Sequence, residues 1–195
     1  MRGIGLTKEM LLRLYTNLGK TDKEIAEFFD IDRTTIVHNR KNFGIEARKN
    51  SGQLGEELVI GKLKNRGFKV QDMNEKDKTS PYDLKVNGHI RVEVKTSRVK
   101  ENRFSFQMAN KKEARCIPSD HRILLPTGRT LKLYHLTCDF VIFVGLTAEK
   151  IHYYVVPSAC IEEGRQTIQF SAVGPHKYQQ YESQWKLIKN VNKAV

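Results

Sequence analysis

Asp83, Glu93 and Lys95 are the residues whose types and spacing most invite chemistry. They lie on two alternating runs, Asp83 to Val86 and Ile90 to Thr96, either side of Asn87-Gly88, which is a hairpin signal. The register follows from the apolar residues, because Leu84 and Val86 must share a face with Ile90, Val92 and Val94. A two-residue turn sets Leu84 against Arg91. A three-residue loop, Asn87-Gly88-His89, pairs Leu84 with Val92 and Val86 with Ile90, and the pattern favours it. That register puts Asp83 opposite Glu93 on the other face, with Lys95 two residues further along on the same side. At a separation of about 4 Å two carboxylates repel by roughly 4 kcal/mol at an effective dielectric of about 20, so such a pair calls for a proton or a cation. A divalent ion is the simpler answer. Hard oxygen ligands facing a phosphate suit Mg²⁺, which binds through one or two carboxylates and keeps other positions for water and phosphate oxygens, whereas zinc favours histidine or thiolate. The bland alternative is a solvated strand face, with the acids paired among Lys85, Arg91 and Lys95.

Several elements must position these groups. Leu54, Leu58, Val59 and Leu63 mark a helix beginning after Gly52 and ending at Gly67, with Glu56 and Glu57 near its N-terminus, where acids are favoured. Phe68 to Met73 reads as a strand, and a charged, Pro-containing loop follows it. Phe104-Ser105-Phe106-Gln107 alternates, and Asp139 to Val144 and Tyr153 to Pro157 are further strand candidates.

Pro81-Tyr82-Asp83 and Glu93-Val94-Lys95, preceded by the helix opening Gly52-Gln53-Leu54-Gly55-Glu56, resemble the PD-(D/E)XK nuclease superfamily over most of residues 52–160. The one residue between Pro81 and Asp83 departs from the literal motif in a way common in the family. The resemblance implies an α/β fold of restriction-endonuclease type, a mixed sheet flanked by helices. It also implies that Asp83 and Glu93 hold Mg²⁺, with Mn²⁺ as a substitute, and that Lys95 orients or deprotonates the attacking water and stabilises developing charge. Glu56 would support the metal from the helix, with Glu57 as the reserve for that role, and Gln107 would position water or phosphate.

Ahead of this region, Leu11, Leu14, Tyr15 and Leu18 recur at helical spacing up to Gly19. Thr21 and Glu24 form a capping box for a second helix with Ile25, Ala26 and Phe29 inward. After the turn Asp30-Ile31-Asp32, a third helix runs from about Arg33 to Phe43, using Ile36, Val37 and Phe43 inward, and Gly44 stops it. The segment from Lys20 to Ile36 resembles the helix-turn-helix family, about the first quarter of the chain. By that resemblance the third helix enters the DNA major groove, where Arg33, Thr34, Thr35, His38, Asn39 and Lys41 reach phosphates and base edges. The polar stretch from Ala47 to Gln53 separates a helix-turn-helix domain, 1–50, from a nuclease domain, 51–195.

The 195 residues suffice for one ordinary domain and one small one. The net charge of +12 suits a polyanionic partner, here double-stranded DNA. No apolar run approaches the roughly 20 residues of a membrane span and no signal peptide is evident, so a cytoplasmic protein of prokaryotic, archaeal or phage origin is expected. Cys116, Cys138 and Cys160 fit neither a disulfide framework nor a zinc site and read as buried or incidental thiols. Residues 110–137 form a basic insertion, with Lys111, Lys112, Arg115, Arg122, Arg129 and Lys132, which reads equally as a DNA clamp or a solvated loop. His176 to Ile188 reads as a helix with a stripe of Tyr178, Tyr181, Trp185 and Ile188, packed on the sheet or at a dimer contact. The combined expectation is a site-specific, Mg²⁺-dependent DNA endonuclease of restriction or homing type, acting as a homodimer. The alternatives are a Holliday-junction resolvase or DNA-repair nuclease, and a non-cutting helix-turn-helix regulator.

Overall fold

Local capping chemistry starts every long helix. In the computed structural model, which describes residues 6–76, 79–110 and 120–191, the chain divides into two units, Met1–Lys49 and Asn50–Val195.

In the first unit, α1 (Lys8–Leu12) is capped by Thr7, whose Oγ1 accepts from the Met10 N–H at 3.2 Å. It passes directly into a π-helical turn, Arg13–Asn17, where the Leu18 N–H reaches the Arg13 carbonyl at 2.9 Å. That wider turn rotates the following residue off the apolar face. Leu18 is therefore 58% exposed, against the expectation from spacing, while Leu11 and Tyr15 are buried. α2 (Asp22–Phe29) begins with the Thr21–Glu24 capping box, and Asp30 then takes a left-handed conformation, φ 52°. α3 (Arg33–Asn42) is capped by Asp32, which accepts from the Thr34 N–H at 2.7 Å. Leu11, Tyr15, Ile25, Ala26, Ile36 and Ile45 form the core.

Two arginines tie this small core together, and helical periodicity had no claim on either. Arg40 is buried: Nε and Nη2 grip both oxygens of Asp22 at 2.9 and 3.1 Å, and Nη1 donates to the Ile45 carbonyl at 3.1 Å. Arg48, at the start of the expected linker, donates to the carbonyls of Gly19 and Lys20, both at 2.7 Å. Both guanidiniums lie over the Tyr15 ring, 4.6 and 4.5 Å from its centroid.

In the second unit α4 (Ser51–Lys64) starts earlier than expected, because Asn50 and Gln53 make a capping box. There follow β1 (Val70–Asp72), α5 (Met73–Lys76), β2 (Leu84–Val86), β3 (Ile90–Arg98), β4 (Arg103–Gln107), β5 (Arg122–Leu124), β6 (Thr130–Lys132), α6 (Tyr134–Thr137), β7 (Phe140–Leu146), β8 (Ile151–Pro157), β9 (Thr167–Ser171) and α7 (Lys186–Lys189). β1 is shorter than the Phe68–Met73 reading, since Asp72 Oδ1 accepts from the Asn74 N–H at 2.9 Å and opens α5. The mixed sheet runs β1-β2-β3-β7-β8, with β3 and β7 parallel and the other neighbours antiparallel. Leu84 pairs with Val92 and Val86 with Ile90, the three-residue-loop register, with Asn87 and Gly88 at φ 50° and 79°.

One face of the sheet, with Val92, Val94, Ile142 and Val155, packs on Val59 and Leu63 of α4. The other face, with Val141, Phe143 and Val156, is covered by Phe104, Phe106, Ile168 and Phe170 of a separate two-stranded sheet, β4-β9. The C-terminal segment is not the single helix that its spacing suggests. It breaks at Ser183, φ 55°, and its backbone bridges edge strand β8 through Tyr154 and Glu182. Tyr178 thereby enters the core on the β4-β9 face, and Trp185 and Ile188 enter the one on the α4 face. A helical stripe could serve only one face. Within the basic insertion, residues 122–137 form the β5-β6 hairpin and α6, while Lys111, Lys112, Arg115, Cys116 and Pro118 lie outside the described residues. Cys138 is buried and Cys160 exposed. Among the described residues no helix is long and apolar enough to cross a membrane.

Candidate active site

The alternation of β3 decides which way its charged residues point. Glu93 is in register with Val141 and Lys95 with Phe143, so both side chains share the face that β4-β9 covers. β2 begins only at Leu84, so among the described residues no strand pairs with β3 beyond Val92 on that side. The N-terminal half of α4 approaches there, with Gly55 against Thr96. The site occupies the point where β2 and β3 part.

Glu93 is 4% exposed and held by two ammonium groups. Lys95 Nζ donates to Oε1 at 2.6 Å, and Lys132 Nζ of β6 donates to Oε2 at 2.5 Å. Burial raises the Glu93 pKa, and the charges of Lys95 and Lys132 outweigh that, leaving it below the usual carboxylate range. For Lys95 the order is the same: burial disfavours its charge, Glu93 more than compensates, and the ammonium is held well above the ordinary lysine value. In this arrangement Lys95 is an ammonium paired with the Glu93 carboxylate. Tyr134 flanks both ammoniums, its ring centroid 5.8 Å from Lys95 Nζ and 5.5 Å from Lys132 Nζ, and its hydroxyl donates to the Met108 carbonyl at 2.9 Å.

Asp83 sits one residue before β2. Its N–H donates to the Val92 carbonyl at 3.1 Å, and its Oδ2 accepts from the Val94 N–H at 2.8 Å. Asn74 Nδ2 donates to Asp83 Oδ1 at 3.4 Å and to Glu56 Oε2 at 3.0 Å, joining helix and hairpin acids. The hydrogen bonds to Asp83 thus come from uncharged donors. Burial, and then the charge of Glu93, push its pKa up to about 7. Burial likewise raises Glu56, with Asp72 and Glu93 adding to the effect. Negative charge is overcompensated at Glu93 and undercompensated at Asp83 and Glu56.

The structure therefore gathers Glu56, Asp83, Glu93 and Lys95. Glu57 is exposed, on the opposite side of the first turns from the buried Gly55 and Val59. Gln107 is not brought to the carboxylates: it lies exposed on β4, and its Oε1 accepts from Thr167 Oγ1 at 3.3 Å and Arg129 Nη2 at 3.4 Å. Sequence reasoning placed Gln107 on a neighbouring strand, but β4 pairs with β9 outside the central sheet. Lys132, Tyr134 and Asn74 were missed as site residues. Nothing in the sequence pairs Lys132 with Glu93, because the hairpin already carries Lys85, Arg91 and Lys95 against Asp83 and Glu93.

Among the described residues no group of three or more His, Cys, Asp or Glu side chains is arranged to hold a metal. The donor set nonetheless suits a hydrated Mg²⁺, which needs only one or two carboxylates: Asp83 supplies a buried hard oxygen short of positive charge, and Glu93 lies beside it. In the first unit Arg33, Thr34, Thr35, His38 and Lys41 are exposed on α3 and Asn39 is half-buried. Thr34 turns its hydroxyl back to Asp32 Oδ1 at 2.6 Å.

No protein-family model matches the sequence, and no curated protein matches it either. Among solved structures the fold is similar to that of a bacterial homing endonuclease, I-Ssp6803I, with a TM-score of 0.51 at 19% identity, over 71% of this chain and 90% of that one.

Proposed function

We infer that the chain is a metal-dependent DNA endonuclease of the PD-(D/E)XK class that hydrolyses phosphodiester bonds at a defined site, in the manner of restriction or homing enzymes. The observation that carries this is the meeting of Glu56, Asp83, Glu93 and Lys95 at the fork of β2 and β3, with a charge deficit centred on Asp83. The fold likeness to a homing endonuclease supports it.

Asp83 and Glu93 would hold a divalent ion, with Glu56 supporting it through Asn74. When bound, Mg²⁺, or Mn²⁺ in its place, supplies Lewis acidity toward a phosphate oxygen and lowers the pKa of water. Lys95, kept charged by Glu93, stabilises the negative charge that develops on the phosphoryl group. It orients the water rather than deprotonating it. The first unit reads double-stranded DNA through Arg33, Thr34, Thr35, His38, Asn39 and Lys41, with Thr34 presenting its methyl while its hydroxyl stays on Asp32. Cutting both strands with one site per chain favours a homodimer.

The test is incubation of the purified protein with pooled duplex and branched DNA, with and without Mg²⁺, beside Asp83→Ala and Lys95→Ala. Metal-dependent cutting at one sequence, abolished by both substitutions, is the expected result. Cutting confined to branched DNA would indicate a resolvase or repair nuclease instead. Binding without cutting would indicate a regulator.

A further inference from the structure

Lys132 holds a position that solvation does not account for. Its side chain is 11% exposed, and its ammonium meets a carboxylate that Lys95 already pairs. Burying a second cation against one acid is costly unless the geometry is well satisfied. Here it is satisfied: each lysine takes a different oxygen of Glu93, and the anchored Tyr134 ring backs both. One lysine would leave Glu93 free to pivot about a single contact. Two, arriving from β3 and β6, hold its plane and leave Oε2 reachable by another cation only in exchange for Lys132.

We propose that Lys132 is a positioning residue of this site, which fixes the Glu93 carboxylate from β6 and competes with a divalent cation for its Oε2. The positioning half rests on the hydrolytic reading above. The competition half does not, since it concerns cation binding alone.

Lys132→Met removes the charge and keeps most of the length of the side chain. Without it Glu93 Oε2 is open and the acids Glu56, Asp83 and Glu93 face one lysine, so the full-length protein without DNA should bind Mn²⁺ at least about tenfold more tightly, read by electron paramagnetic resonance titration. Lys132→Arg keeps the positive charge, so its Mn²⁺ midpoint should stay closer to the wild type than that of Lys132→Met. On cleaved DNA, Lys132→Met should lower kcat by at least about tenfold with little change in KM, because a misplaced Glu93 weakens the transition state rather than DNA binding. Lys132→Gln gives the same reading if Lys132→Met does not fold.

A Mn²⁺ midpoint unchanged in a folded charge-removing variant overturns the proposal, as does a wild type that binds no Mn²⁺. If Mn²⁺ binding tightens as expected but the wild type cuts no DNA, the hydrolytic reading fails and the cation competition stands. If cleavage is normal in a variant whose Mn²⁺ binding has tightened, Lys132 competes but does not position, and the proposal is overturned in that half.

Discussion

Gly55 and Thr96 pack so closely that a Cβ on the glycine would lie 1.8 Å from the threonine Oγ1 and 2.9 Å from its Cβ. This contact lets α4 approach β3 where β2 has left it, and it sets the position of the next residue, Glu56. Gly55→Ala should therefore push the helix off the strand, at a cost of about 1–3 kcal/mol for overpacking. Thr96 Oγ1 is buried with no hydrogen-bond partner among the described residues, so Thr96→Ala alone should cost little. The double variant should recover part of the loss, as the remaining 2.9 Å approach still binds the pair. Urea unfolding of the four proteins of this cycle measures the coupling, and additive effects would refute the contact.

The charge deficit at Asp83 makes stability depend on pH. Its folded pKa of about 7 lies well above the ordinary aspartate value of 3.8. The protonated acid therefore stabilises the fold fully below about pH 4, and that contribution is lost as pH rises through about 7. In the absence of divalent ions, the urea midpoint should fall between about pH 5 and pH 8, and Asp83→Asn should flatten the profile. A wild-type profile as flat as that of the variant would remove the basis for a charge deficit.

Arg40 and Asp22 form a buried ion pair in the small helical unit, with side chains 6% and 12% exposed. Removing one partner strands the other, so Asp22→Ala should destabilise that unit by about 3 kcal/mol or more. Hydrogen exchange of the α2 and α3 amides in the full chain would show the loss locally, with α4 amides as the control.

The α3 surface should bind DNA chiefly by charge at its ends. Arg33→Ala and Lys41→Ala should each weaken binding and reduce the slope of log K against log salt by about one unit if each meets a phosphate. Fluorescence anisotropy at several salt concentrations measures this, and unchanged slopes would assign the DNA contact to another surface.

Gln107→Ala should leave cleavage within about threefold of wild type, since the amide oxygen is engaged by Thr167 and Arg129 on the β4-β9 side. A larger loss in single-turnover rate would return Gln107 to the site.

Much of the candidate site was legible because its parts are local. The alternation of Leu84, Val86, Ile90, Val92 and Val94, with a loop of fixed length between them, leaves one register that buries apolar against apolar, and the acids follow it. Capping residues marked α2 in the same short-range way. What tertiary structure alone decided involves partners far apart in the chain. Lys132 reaches Glu93 because the β5-β6 hairpin and α6 cover that face of β3, and nothing in Thr130-Leu131-Lys132 distinguishes it from other alternating runs. Asn74 joins Glu56 to Asp83 only where α4, α5 and β2 meet. The C-terminal segment shows the same limit, since the spacing of Tyr178, Trp185 and Ile188 fits one helix until there are two sheet faces to cover. Periodicity reports which side of an element is apolar. Which other element covers that side is set by the packing of the whole unit, and there the charges of this site find their partners.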